Sequence, residues 1–276
     1  MSGEKIIFPK GRQIVLGVSG GIAAYKACDL LGKDFGVGRF PETAKIVNEV
    51  LSLSKAELFL EGKRVLVTAG GTREEIDPVR YIGNKSSGRQ GLAIAYEALR
   101  SGAEVTVIAG HTDPFELEGV EVIKVNTALE MMSAVEGEFH KNDALVMTAA
   151  VADARPTSSA ATKIKKSELE TINLTANPDI LGKFAESKRS NQVIVGFAAE
   201  TERDLIQAGL EKLISKGADL LYVNDVSGGA IFGQNETSGS LIGLGIEPIN
   251  FNNVSKHEVA KTIVIQMAKK LEKVNG

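Results

Sequence analysis

Apolar runs of strand length alternate with amphipathic helical patterns from residue 64 to the end of the chain, and this alternation constrains the fold most. Most of the runs are continuously apolar, as in parallel strands that are covered on both faces. We therefore predict an α/β fold with a doubly wound, mostly parallel, Rossmann-like sheet that binds ligands at the carboxyl ends of its strands. The predicted strands are 64–69, 104–109, 120–125, 143–149, 192–198 and 219–223, and the predicted helices are 87–101, 127–140, 178–188, 202–216 and 255–273.

Three segments depart from this alternation. Residues 151–176 are polar and predict a flap or arm, and residues 238–251 read as a C-terminal hairpin with a glycine turn. Residues 14–33 predict one strand and one helix, followed by a short helix at 43–58, which is too little to form its own sheet. We expect a short βα segment at 1–60 and the main domain at 61–276.

Composition excludes several classes of protein. The formal net charge of −3 gives no reason to expect a nucleic acid or an anionic membrane as partner. The single cysteine, Cys28, excludes a disulfide framework and fits a reducing compartment. The apolar run that begins at Ile14 contains three glycines and Lys26, which argues against a membrane span or a signal peptide. We expect a cytoplasmic protein.

Two glycine-containing loops follow the first predicted strand. Gly70 and Gly71 come directly after it and allow the backbone to approach an anion closely. Ser86, Gly88 and Gly91 begin a predicted helix, whose free N–H groups suit phosphate. Either cluster alone is equally typical of an ordinary turn or helix cap. Together they suit a ligand with several phosphates.

A nicotinamide-dinucleotide reductase is the first alternative. No G-x-G-x-x-G follows the first strand, and the second strand ends in Ile108-Ala109-Gly110 without an acid to hold a ribose. Tyr81 and Lys85 have the spacing of a reductase pair, but they follow the first strand directly. These features disfavour a reductase.

The string GKRVLVTAGGTREEIDPVRYIGNKSSGRQG resembles phosphopantothenate–cysteine ligase, which in bacteria is usually fused to phosphopantothenoylcysteine decarboxylase. Further segments match the same family in order: MTAAVADARP, KIKK, NPDIL, VGFAAET and YVNDV. The resemblance covers about residues 61–276. It implies a Mg²⁺-dependent ligase of coenzyme A biosynthesis whose substrates are 4′-phosphopantothenate, L-cysteine and CTP. The reaction that this resemblance implies proceeds through an acyl-cytidylate and releases pyrophosphate and then CMP.

The resemblance also implies roles for residues near the first strand. Asn84 would bind the pantothenoyl portion and the acyl-cytidylate, although by itself it reads as a turn residue. Arg80 would reach a phosphate of phosphopantothenate across the interface of a homodimer; the alternative is an ion pair with Asp77 or Glu75. The triphosphate would contact Gly70, Ser86, Gly88 and Gly91.

Further roles fall on the fourth strand and the arm. Ala149 and Ala150 leave room for phosphopantothenate, and Asp153 is a candidate for Mg²⁺ or a nucleotide hydroxyl, or else a turn cap. Lys163 would neutralise charge as pyrophosphate leaves, although a lysine run is more often a solvated face. Asn84, Lys163 and Arg80 form the predicted catalytic set.

The remaining implied contacts surround the nucleotide. Asn177 and Pro178 also read independently as an N-cap and a first helical residue. Phe197 would stack on the base, although a strand phenylalanine more often belongs to the core. Lys212 and Lys216 are also plain exposed helix positions. The implied nucleotide contacts are Asp153, Lys163, Ala176, Asn177, Pro178, Phe197, Lys212 and Lys216.

Residues 1–60 resemble the beginning and the last segment of the FMN-dependent decarboxylase, with its large middle part missing. About sixty residues are too few to build a packed flavin site. We therefore expect neither productive FMN binding nor decarboxylation. A folded, nucleotide-binding but inactive remnant remains the second alternative to the ligase.

Overall fold

Eight strands form the central sheet of the described residues, and six of them are parallel. The computed structural model describes residues 58–168, 170–200, 204–226 and 236–275. The expectations for residues 1–57, including the N-terminal strand, its helix and most of the helix at 43–58, lie outside these ranges. The parallel strands are β1 (Arg64–Ala69), β4 (Glu104–Ala109), β5 (Glu121–Lys124), β6 (Ala144–Met147), β9 (Val193–Glu200) and β10 (Leu220–Asp225).

An antiparallel pair extends one edge of the sheet. β11 (Glu236–Gly243) pairs with β10 and with β12 (Ile249–Ser255), which confirms the predicted C-terminal hairpin. Across the sheet the order is β12-β11-β10-β9-β6-β1-β4-β5. Each predicted strand is present, with ends that differ by two residues at most.

Helices cover both faces of the sheet, as a doubly wound fold requires. The helices are α1 (Arg89–Arg100), α2 (Ala128–Phe139), α3 (Ile180–Ser187), α4 (Leu205–Lys216) and α5 (Lys256–Asn275). Alternate residues of a strand point to opposite faces, so Val65 and Val67 pack in the core under α1 and α5, while Leu66 packs under α2, α3 and α4. None of the described helices is long and apolar enough to cross a membrane.

The strand order reverses beside β1. From β1 the chain adds β4 and β5 on one side, then returns to add β6, β9 and β10 on the other. The connections that leave the carboxyl ends of β1 and β6 therefore diverge and open a crevice between them. Ligands of doubly wound sheets bind at this point.

Two short ribbons project from the carboxyl edge of the sheet. The hairpin consists of β2 (Arg73–Asp77) and β3 (Arg80–Gly83), and the arm, residues 151–176, is closed at its base by β7 (Ala154–Pro156) and β8 (Leu174–Ala176). The arm confirms the sequence prediction. The hairpin was not predicted, because its first strand is mostly charged. Its two strands are also joined by a side-chain contact, in which the Arg73 guanidinium lies 4.4 Å from the centre of the Tyr81 ring.

The predicted start of α3 is wrong by two residues. Asp179, not Asn177, is the N-cap, and its carboxylate accepts a hydrogen bond from the N–H of Gly182 at 3.1 Å. Asn177 instead donates to the carbonyl of Ala152 at 2.8 Å and accepts from Arg155 at 2.9 Å, so its side chain joins the base of the arm. Pro178 accordingly lies before the helix.

Gly91 sets how closely α1 approaches the sheet. A Cβ atom there would lie 2.3 Å from Thr148 Oγ1 and 2.9 Å from Ala69 Cβ. We expect Gly91→Ala to lower the free energy of unfolding by about 1–3 kcal/mol through overpacking. Gly137 in α2 has nothing within 4 Å of such a Cβ, so Gly137→Ala is the matched control and should raise stability by about 0.4–1 kcal/mol. Urea denaturation measures both, and equal effects of the two substitutions would contradict this packing argument.

Candidate active site

The floor of the crevice is made of backbone. Gly71 donates to the carbonyl of His111 at 3.0 Å and accepts from its N–H at 2.8 Å, while Ala150 donates to the carbonyl of Gly70 at 2.8 Å. The loop after β1 is thus bonded to the loops after both neighbouring strands. Gly70 has φ +82°, and a Cβ there would lie 2.5 Å from the carbonyl oxygen of His111. Only glycine fits at this position.

The two predicted glycine loops lie together. Gly88, the N-cap of α1, has φ +75°, and a Cβ on it would lie 3.2 Å from the Gly70 nitrogen. The methyl group of Thr112 packs against both glycines. No side chain caps α1. The N–H groups of its first turn therefore have no partner within the helix, and they carry the positive end of the helix dipole. An anion is the natural ligand of such a terminus.

Asn84 and Ser86 follow the hairpin and enter the same crevice. The Asn84 carbonyl and the Ser86 Cβ lie 3.2 and 3.5 Å from the position of a Cβ on Gly71. The Asn84 side chain donates to the carbonyl of Val151 at 3.0 Å, immediately after Ala150. The structure thus brings Asn84, Ser86 and the loop after β6 together, while their predicted roles toward phosphopantothenate and CTP stay predictions.

Arg80 lies at the far end of the hairpin and pairs with Asp77. Its guanidinium donates to Asp77 Oδ2, and through Nη2 also to the carbonyl of Ile164 at 2.8 Å. The hydrogen bond from the Arg80 guanidinium, together with those from nearby backbone N–H groups, outweighs burial and holds the pKa of the Asp77 carboxyl well below its ordinary range. The ion pair weighed as an alternative for Arg80 is therefore present in this chain.

Lys163 and Asp153 are exposed on the arm. Lys163 precedes Ile164, and no hydrogen bond or ion pair of its ammonium is found in the described part of the chain. The backbone carbonyl of Asp153 accepts from Asn177 at 2.8 Å, while its carboxylate is exposed. Among the described residues no three His, Cys, Asp or Glu side chains converge as metal ligands. A single carboxylate fits a Mg²⁺ ion that is held largely by nucleotide phosphates.

The two predicted nucleotide lysines are ion-paired. Lys212 pairs with Glu200, and Lys216 lies 2.6 Å from Asp179. Partial burial raises the pKa of Asp179, but the hydrogen bonds from Lys216 and the N–H of Gly182 outweigh it, so the pKa lies below its ordinary value.

The predicted base contacts are partly occupied. Phe197 is half-buried and lies 5.4 Å, between ring centroids, from Tyr222, so it belongs in part to the core. The carbonyl of Ala176 accepts from Arg155 at 2.8 Å. Among the described residues, Tyr222 is the aromatic ring that packs against Phe197. A cytosine base would have to approach Phe197 from its exposed side.

Several residues at this edge were missed by sequence reasoning. Thr72 accepts from the N–H of Ala152 at 3.0 Å, and Asn126 contacts the His111 ring at 2.7 Å. These bonds join distant segments and leave no local signal. Asp77 did leave one, because Asp-Pro initiates turns and its carboxylate accepts from the two residues after the proline.

A strand order that reverses at a glycine-lined crevice, beside a helix N-terminus without a side-chain cap, defines a doubly wound α/β protein with a candidate anion site at that crevice. The chain belongs to the family described as DNA/pantothenate metabolism flavoprotein C-terminal domain, whose model matches residues 60–271.

Similar proteins agree with this assignment. The coenzyme A biosynthesis bifunctional protein CoaBC of Mycobacterium tuberculosis is 45% identical over 231 residues, which are 77% of this chain and 54% of that protein. The corresponding protein of Mycolicibacterium smegmatis is 40% identical over 90% of this chain and 63% of its own length. A crystal structure of the C-terminal domain of CoaBC has a TM-score of 0.67 at 35% identity, covering 79% of this chain and all of that one.

The chain spans about half the length of most curated relatives that it matches. A more distant structure, a Cab2 mutant in complex with phosphopantothenate-cysteine, has a TM-score of 0.62 at 18% identity and shares the fold. It covers 84% of this chain and 96% of that one.

Substitutions at Asp179 separate its two roles. Asp179→Ala removes the cap and the Lys216 pair and should lower the free energy of unfolding by about 1.5 kcal/mol. Asp179→Asn keeps a capping oxygen and should lose only the surface pair, about 0.5 kcal/mol. Equal losses for the two variants would contradict the capping role.

The same site should respond to pH. Because the pKa of Asp179 is lower in the folded state, its carboxylate stabilises the fold above the ordinary pKa, and this contribution is lost as pH falls through the folded value. The stability difference between the parent and Asp179→Asn should therefore shrink between about pH 7 and about pH 3. Urea denaturation at the two pH values measures it, and a difference that grows on acidification would contradict the assignment.

Proposed function

We propose that this chain joins 4′-phosphopantothenate to L-cysteine, using CTP and an acyl-cytidylate intermediate. The crevice beside β1 carries the proposal, because an uncapped helix N-terminus, a backbone floor and the Asn84 amide meet there. Membership of the family and the similarity to CoaBC proteins support the same reaction. The activity is assigned to the segment that the family model covers, residues 60–271.

The proposed reaction has two displacement steps. A carboxylate oxygen of phosphopantothenate attacks the α-phosphorus of CTP, and pyrophosphate leaves. The cysteine nitrogen then attacks the acyl carbon, CMP leaves with the phosphate oxygen, and the nitrogen loses a proton. In the first step the N–H groups of α1 would hold the triphosphate. The Asn84 amide can donate to or accept from the mixed anhydride without adding charge.

Lys163 and Mg²⁺ would supply positive charge to this site. The ammonium of Lys163, free of a partner among the described residues, can offset the charge that develops on pyrophosphate as it leaves. Mg²⁺, when bound with the nucleotide, would neutralise phosphate charge, and the Asp153 carboxylate is the residue that would hold it.

The length of the hairpin fits the second substrate. From Arg80 to Gly83 the strand rises about 10 Å, a span similar to an extended phosphopantothenate molecule. One phosphopantothenate molecule could therefore place its carboxylate near Asn84 and its phosphate near Arg80, either of this chain or of a second copy. In both cases the two parallel N–H donors of the Arg80 guanidinium suit a phosphate dianion.

The homodimer remains a prediction. The hairpin and the arm expose apolar side chains that a second copy could cover: Val79 (61% exposed), Tyr81 (50%) and Leu174 (52%).

The reductase alternative is weakened by the end of β4. No acid follows this strand directly, and the first acid after it, Asp113, pairs with Arg89 at 2.9 Å. That carboxylate is therefore engaged elsewhere and is not presented to a ribose. The other alternative, a folded chain that binds nucleotide but is inactive, is distinguished from the ligase only by measuring turnover.

Pyrophosphate release tests the proposal directly. With 4′-phosphopantothenate, Mg²⁺, cysteine and CTP, we expect sustained release of pyrophosphate together with CMP. Without cysteine, release should stop near one equivalent per site, because the acyl-cytidylate stays bound. ATP in place of CTP tests nucleotide choice, and NAD(P) titration tests the reductase. Folded protein that releases no pyrophosphate with either nucleotide would overturn the proposal.

Lys163→Gln tests the role of the arm. Loss of the charge should slow pyrophosphate release by about 100-fold and change the binding of phosphopantothenate much less, since the lysine acts on developing charge. Lys165→Gln, on the same exposed arm segment, is the matched control and should keep the parental rate. Pre-steady-state kinetics and isothermal titration measure the two quantities. Equal rates for Lys163→Gln and the parent would contradict the role.

A further inference from the structure

Asp77 is a buried carboxylate at the tip of a small exposed ribbon. Its side chain is 0% exposed. Oδ1 accepts from the N–H groups of Val79 and Arg80, both at 2.9 Å, and Oδ2 accepts from Arg80 and from the N–H of Ile164 at 3.2 Å. A buried charge is tolerated only when it is paired and hydrogen-bonded in this way.

The bond to Ile164 crosses from the hairpin to the arm. Arg80 Nη2 completes the contact by donating to the Ile164 carbonyl at 2.8 Å, so the N–H and the C=O of one arm residue are both held. The N–H of Ala160 also donates to the carbonyl of Ile76 at 3.0 Å. We call this set of bonds the tether.

The arm depends on such anchoring. β7 and β8 pair over only three residues each. An isolated two-stranded ribbon of this kind has marginal stability in water. Residues 158–168 are mostly exposed and contribute no buried apolar side chain to either core. Without the tether, the segment that carries Lys163 would be free to move away from the sheet edge.

We propose that Asp77 is a positioning residue, which holds the Lys163 segment of the arm against the hairpin through Arg80 and the Ile164 peptide group. That Lys163 acts on the reaction rests on the proposed function, whereas the tether itself does not. Asp77 touches no reacting atom in this assignment.

Limited trypsin digestion tests the tether without any assay of activity. Trypsin cleaves after Lys163, Lys165 and Lys166, and the held Ile164 peptide should protect these bonds. Asp77→Asn should speed cleavage there by about tenfold, because local opening costs less once the charge is lost. Mass spectrometry identifies the cut bonds.

Asp219→Asn is the matched control. Asp219 also accepts from a lysine, Lys188 at 2.5 Å, and from a backbone N–H, that of Ile194 at 2.7 Å, but it lies at the amino end of β10. We expect this variant to leave arm cleavage at the parental rate. Parental cleavage rates in folded Asp77→Asn would overturn the tether.

Circular dichroism checks that Asp77→Asn folds. If it does not, Ile164→Pro removes the same donor from the arm while leaving the hairpin intact, and cleavage after Lys165 is followed instead. Faster cleavage in that variant supports the tether, and an unchanged rate overturns it.

A kinetic cycle tests whether the tether acts through Lys163. Asp77→Asn should slow pyrophosphate release by about tenfold or more in the parent and have no further effect in the Lys163→Gln background, since coupled residues are not additive. The KM for CTP should change little. An equal loss in both backgrounds would overturn the link to Lys163. If the parent itself releases no pyrophosphate, the proposed function fails while the digestion result still decides the tether.

Discussion

Parallel pairing of β1 with a neighbour on each side is the constraint on which the rest of the site depends. Val65 is in register with Val105 of β4 and with Ala144 of β6, so three carboxyl ends meet at one level. The loops that follow must then share a narrow space. Gly70 and Gly71 fill it with backbone alone, and their hydrogen bonds to the loops after β4 and β6 leave no room for a side chain. Polar side chains reach the crevice only from farther along the chain, as Asn84 does.

Charge at this edge is distributed unevenly. Lys212 and Lys216 are each paired with a carboxylate, whereas Lys163 has no such partner among the described residues. A phosphate that binds either paired lysine must compete with Glu200 or Asp179, while a phosphate at the N-terminus of α1 meets no capping side chain. On electrostatic grounds the helix terminus and Lys163 are therefore better candidates than the paired lysines for the proposed polyphosphate contacts.

The sequence predicted the sheet well because buried parallel strands leave a signal in every residue. β1 and β4 have the predicted limits, since each is an apolar run with helices on both faces. The same reasoning could not find the hairpin, because four of the five residues of its first strand, REEID, are charged and the pairing depends on its neighbours. It misplaced the N-cap of α3 because Asn177 is bonded to Arg155 and Ala152, more than twenty residues away. Local preference gave way to a long-range contact.

The site residues divide along the same line. Gly70, Gly88 and Asn84 could be located from the sequence because they lie within about one turn of a predictable strand or helix end. Lys163 could not be located in space, since its place depends on Asp77 and Arg80, which lie more than eighty residues earlier. The crevice is fixed by the sheet, whereas the arm is fixed at its base by Asn177 and near its tip by Asp77. In the proposed ligase, Lys163 would therefore bring its charge to the nucleotide from a separately anchored arm. Its ammonium stays exposed, so the fold avoids the cost of burying a charge in the core.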